Sequence, residues 1–91
     1  MKQLQQEFTG KGEVRGFKFK QVQKSNTAYL YEVNSGTTIY YEVFKRVFNK
    51  KYKKEVYPLA KHFSIWAWTV MNYEDAKRKF NQLNFEDSVL N

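Results

Sequence analysis

Three groups of residues in this chain have side chains of a type that could do chemistry. Glu32 and Glu42 fall on neighbouring predicted strands, and the register expected for them puts both on one sheet face, the geometry of paired acid and base carboxylates. Lys18, Lys20 and Arg46 are expected on that same face, so cross-strand ion pairs account for the two acids without a reaction. His62 is the only histidine and cysteine is absent, which leaves no thiol nucleophile, no histidine dyad and no thiolate metal site. A lone imidazole beside a strand reads as structural. Gly10-Lys11-Gly12 lacks both the spacing and the strand-to-helix context of a phosphate-binding loop. The expectation is a protein that is not an enzyme and that uses neither cofactor nor metal.

Binding chemistry is better represented. Residues 45–54 read Lys-Arg-Val-Phe-Asn-Lys-Lys-Tyr-Lys-Lys, six cations and two aromatic rings without an acid. Over residues 45–61, Lys45, Arg46, Lys50, Lys51, Lys53, Lys54 and Lys61 meet Glu55 alone, a net of +6. Residues 11–24 carry a further +4, and the remainder is slightly acidic at −3, within a total of +7. Such asymmetry favours an anionic partner: nucleic acid, an acidic protein or a membrane surface. Lys45, Arg46, Lys50, Lys51, Lys53 and Lys54 are the candidate phosphate ligands, and Tyr40, Phe44 and Tyr52 the candidate base-stacking rings beside them. The competing explanation is that lysines keep a small protein soluble and block edge pairing, while rings fill the core of a 91-residue chain without disulfides. Solubility would be served by mixed signs, so the excess of one sign tilts the reading towards a partner.

The elements that must position these residues are mostly strands. Phe17 and Phe19 alternate with Lys18 and Lys20, the two-residue period of a half-buried strand, and residues 24–27 form a turn. Residues 28–33 are rich in strand formers, Asn34-Ser35-Gly36 turns the chain, and a second strand runs over 37–48. A three-residue loop with Gly36 left-handed pairs Val33 with Thr37, Tyr31 with Ile39 and Tyr29 with Tyr41. One face is then apolar, and Leu30, Glu32, Tyr40, Glu42, Phe44 and Arg46 share the other. A two-residue turn would scatter the acids over both faces and bury charge for no gain, so the three-residue loop is preferred.

Asn49 to Lys51 turns the chain again, residues 52–57 return as a short strand, and Pro58 ends it. Residues 62–70 have bulky groups on both sides, the pattern of a central strand covered on both faces, with Trp66 and Trp68 beneath a helix. Asn72 is an N-cap with Asp75 at the third helical position, and Tyr73, Ala76, Phe80 and Leu83 fall on one stripe. The expected architecture is one α+β domain over 1–91: a polar segment 1–14, an antiparallel sheet of four or five strands within 16–70, a single C-terminal helix 73–83 packed on a face, and an acidic tail 84–91. The N-terminus has no apolar signal core and no apolar run is long enough to span a bilayer, so a soluble cytoplasmic protein without a membrane partner is expected.

Tyr41-Glu42-Val43-Phe44-Lys45-Arg46, Tyr57-Pro58, Phe63-Ser64-Ile65-Trp66-Ala67-Trp68-Thr69 and a helix ending Phe80-Asn81-Gln82-Leu83 together resemble small uncharacterised proteins of bacterial phages and mobile elements. The resemblance covers roughly residues 17–83, and its members carry Gly where this chain has Ser64. It implies a cytoplasmic setting in which binding DNA, RNA or a host protein is a common task, and it transfers no activity and no site residue. The functional expectation is a nucleic-acid-binding accessory protein. The alternative is a protein-interaction module that docks an acidic protein or associates with itself through an open face around Leu30, Tyr40 and Phe44.

Overall fold

The run Ala-Tyr-Leu-Tyr-Glu-Val-Asn forms β3 (Ala28–Asn34), the middle strand on which the rest of the molecule is laid. The computed structural model describes residues 3–90, with side chains described through Phe85. β1 (Glu7–Thr9), β2 (Lys18–Lys24), β3, β4 (Ile39–Lys45) and β7 (Ala67–Val70) make a five-stranded sheet in the order β1-β2-β3-β4-β7, antiparallel throughout. Between β4 and β7 the chain leaves the sheet and forms a separate two-stranded ribbon, β5 (Phe48–Asn49) and β6 (Lys54–Glu55). One helix, α1 (Tyr73–Leu90), closes the chain and packs on one face. The fold is therefore α+β, as the patterning indicates.

The hairpin register differs from the expected one. Asn34 pairs with Ile39, Val33 with Tyr40, Tyr31 with Glu42 and Tyr29 with Phe44, so residues 35–38 form a four-residue loop. Side chains set that length: Asn34 Oδ1 accepts the Gly36 N–H at 2.8 Å, and Ser35 Oγ accepts the Thr38 N–H at 3.0 Å. Gly36 takes φ 98°, which a side chain would resist. Because the slip is an odd number of residues, every β4 side chain changes face relative to β3. Tyr29, Tyr31 and Val33 share a face with Tyr40, Glu42 and Phe44, and Leu30 and Glu32 share the other with Tyr41 and Val43. Glu32 and Glu42 thus lie on opposite faces and form no carboxylate pair. The burial of charge that argued against this parity occurs in part, Glu42 being half-buried, and Tyr57 donates its hydroxyl to Glu42 Oε1 at 2.6 Å. That partner comes from outside the sheet.

Both faces are covered. Under α1 lie Ala28, Leu30 and Val43, closed by Ala76, Phe80 and Leu83, with Trp68 and Val70 at the margin. Opposite them, Phe19, Tyr29, Tyr31, Val33, Phe44 and Ala67 are covered by Leu4, Phe8, Tyr57, Phe63 and Trp66. Leu30 and Phe44 are fully buried on different faces, so the open patch expected around Leu30, Tyr40 and Phe44 does not form. The N-terminal segment is the other departure: β1 pairs with β2, and Leu4 and Phe8 cover the core.

Three further expectations are revised. Only Ala67–Val70 of the 62–70 segment is a strand, and it is an edge strand beside β4. Its bulky groups serve two layers, Trp66 opposite the helix and Trp68 below it. Residues 52–57 add no strand to the main sheet, because Glu55 is drawn inwards and holds the return in the ribbon. The helix begins where expected, with the Asp75 N–H on Asn72 Oδ1 at 2.9 Å and Asn72 Nδ2 on Asp75 Oδ2 at 2.8 Å. It continues through Leu90, so the segment read as an acidic tail is helical. Among the described residues no helix is long and apolar enough to cross a membrane.

Candidate functional site

The basic segment is built on an ion pair. Arg46 follows β4 and turns back into the protein: Nε donates to Glu55 Oε2 at 2.7 Å, Nη2 to Glu55 Oε1 at 2.8 Å and Nη1 to the Ser25 carbonyl at 2.8 Å. Its backbone N–H donates to the Thr27 carbonyl at 2.9 Å, and its guanidinium lies 5.1 Å from the Tyr29 ring centroid. Tyr29 donates its hydroxyl to Glu55 Oε1 at 2.6 Å. Glu55 is only 4% exposed. Such a fork satisfies a buried carboxylate geometrically as well as electrostatically. Among the described side chains, no buried polar atom lacks a partner.

Burial pushes the Glu55 carboxyl up, but the hydrogen bonds from Arg46 and Tyr29 and the guanidinium charge pull it below the ordinary carboxylate value. Tyr29 moves the other way: burial, then its bond to the Glu55 carboxylate, pushes the phenol up to about 12. The network clamps both feet of the ribbon to the sheet, Arg46 before β5 and Glu55 within β6.

One consequence concerns the surface. Glu55 is the sole acid of residues 45–61, and it is internal and neutralised by Arg46. What remains outside is Lys45, Lys50, Lys51, Lys53, Lys54 and Lys61, with no exposed acid among residues 45–61. Lys50, Lys51, Lys53 and Lys54 occupy or adjoin the turn between β5 and β6 and are exposed, whereas Lys45, at the end of β4, is half-buried. The turn is shaped by Asn49, whose Oδ1 accepts the Lys51 N–H at 2.9 Å and the Tyr52 N–H at 3.2 Å, and by Lys53 at φ 53°. Tyr52 is 62% exposed, with the Lys51 and Lys54 ammonium groups 5.5 and 5.9 Å from its ring centroid.

The predicted site is therefore split. Lys50, Lys51, Lys53, Lys54 and Tyr52 come together at the ribbon tip, and Lys45 stands at its base. Arg46 is withdrawn from the phosphate-binding set because Glu55 and Ser25 take its donors. Phe44 is withdrawn from the stacking set because it is fully buried, 4.8 Å from the Tyr57 ring. Tyr40 is half-buried against the core and separate from the tip. The fates of Arg46 and Phe44 follow from the hairpin register, which local patterning did not resolve.

A cleft that the sequence did not reveal lies between the N-terminal segment and the ribbon. It measures about 810 Å³ and includes Leu4, Phe8, Val47, Phe48, Val56, Leu59 and Trp66, with Lys54, Lys61 and His62. His62 has a structural task there: Nδ1 accepts the Leu59 N–H at 2.9 Å, and the ring sits 4.7 Å from Trp66. Among the described residues no group of three or more His, Asp or Glu side chains is arranged to hold a metal ion. Comparison of the chain with protein-family models, with curated proteins and with solved structures finds no match.

Proposed function

We propose that this protein binds the phosphate backbone of nucleic acid through the lysines of the β5–β6 ribbon, as a non-catalytic accessory protein. One observation carries the reading: the only acid of residues 45–61 is buried against Arg46, so the ribbon presents cations alone. A solvated face serving solubility has no need to hide its one acid inside. The clamp at Arg46 and Glu55 gives the tip a fixed position on the sheet, while lysine stems leave each ammonium free to find a phosphate. Contacts of this kind position a protein on nucleic acid and carry little base preference. The resemblance to phage and mobile-element proteins is compatible with this role.

The rival reading as a module that associates through an open apolar sheet face loses its patch, because Leu30 and Phe44 are buried; docking of an acidic protein on the same lysines is its other form. Fluorescence anisotropy with single-stranded DNA, duplex DNA and RNA at low salt tests the proposal. Salt-sensitive binding is expected, and its loss when Lys50, Lys51, Lys53 and Lys54 are all changed to Gln. Absence of binding to all three probes overturns it.

A further inference from the structure

The ribbon lysines adjoin the apolar cleft, and Lys54 belongs to both. Its ammonium lies 5.9 Å from the Tyr52 ring at the tip, and the same residue lines the cleft. Phe48, Val56, Leu59 and Trp66 supply apolar wall, and Lys61 is a second cation there. Glu55 is the single acid of the lining, and it is already consumed by Arg46 and Tyr29. Lys24 adds positive charge nearby: its Nζ donates at 2.8 Å to Gln3 Oε1, and Gln3 lines the cleft.

We infer that the cleft receives an unpaired base of a single strand whose phosphates lie on the ribbon, which rests on the backbone-binding reading above. A duplex offers phosphates to the lysines but keeps its bases stacked, so the apolar walls would gain nothing from it. A splayed base has an apolar ring face for Trp66 and Leu59 and a phosphate on each side for Lys54 and Lys61. The volume of about 810 Å³ leaves room for a base with its sugar. Tyr52, 62% exposed among lysines, offers a second stacking surface along the same strand.

Trp66 lines the cleft and Trp68 lies in the other layer, so a Trp68→Phe protein carries one reporter. It is titrated at low salt with oligo(dT) of about 15 nucleotides and with a duplex of equal length. Oligo(dT) is expected to bind about tenfold more tightly than duplex and to shift the Trp66 emission. Leu59→Ser, at a residue 61% exposed, is expected to weaken oligo(dT) about fivefold and to leave duplex binding unchanged. Should Trp68→Phe disturb the helix layer, the difference between wild-type and Trp66→Phe emission reads the same signal. Equal affinities with an unmoved Trp66 overturn the cleft assignment while leaving the ribbon reading intact; binding to neither probe overturns both. An acidic aromatic peptide that shifts Trp66 where oligo(dT) does not would reassign the cleft to a protein partner and overturn the inference.

Discussion

One buried carboxylate, Glu55, and one half-buried, Glu42, each held by a tyrosine hydroxyl, respond to pH in opposite directions. Glu55 has its pKa lowered from the ordinary 4.5, because Arg46 and Tyr29 outweigh its burial. The folded state binds the Glu55 proton less readily than the unfolded chain, so this contribution is fully present above pH 4.5 and is lost as pH falls through the lowered value. Glu42 has its pKa raised by burial, and the bond from Tyr57 opposes that shift without cancelling it. Its folded form keeps a proton more readily, so Glu42 costs stability once pH rises through the raised value. Glu42→Gln is therefore expected to stabilise the protein at neutral pH, with the gain shrinking as pH approaches 4.5; urea unfolding at a series of pH values reads it. Arg46→Ala strands the Glu55 charge in the interior and is expected to cost about 3–5 kcal/mol in the same assay, a large part of a small domain's stability.

At the scale of elements, local signals were legible and distant partners were not. The start of α1 is written in Asn72 and Asp75, three residues apart, and Asn72→Ala is expected to cost about 1 kcal/mol in thermal or urea unfolding. The hairpin register is different in kind. It depends on the Asn34 and Ser35 side chains closing a four-residue loop, and on Tyr57 reaching Glu42 from another segment. No period within residues 28–48 reports that reach, so periodicity alone puts Tyr40, Glu42 and Phe44 on the opposite face from the one they occupy. Left-handed residues mark two more local features. Ser64 has φ 73°, where glycine is at ease, and Ser64→Gly is expected to raise stability by about 1 kcal/mol. Lys53→Gly, at φ 53°, is expected to gain similarly while removing one phosphate contact, so stability rises and nucleic-acid affinity falls in one variant. A variant that lost stability at position 53 would show that the lysine side chain is needed for the turn itself.

For the whole molecule, charge was the most legible property and its placement the least. The excess of lysine over residues 45–61 can be counted from the sequence, as can the absence of cysteine. Which cations face outwards could not be counted, because burial of Glu55 decides it and depends on Tyr29 in the centre of the sheet. Once the pair is internal, Arg46 becomes an anchor and the lysines become the surface. The cleft is not legible in the sequence for a related reason: its walls come from the N-terminal segment, the ribbon and the turn before β7, far apart in the chain. The central claim is that lysines at the ribbon tip neutralise phosphates. It is tested most directly by the salt dependence of duplex DNA affinity, for wild-type and for the protein with Lys50, Lys51, Lys53 and Lys54 changed to Gln. Four contacts predict a slope of log affinity against log salt of about −3.6 for wild-type, collapsing towards zero in the variant. A variant that keeps the wild-type affinity and slope would contradict the account.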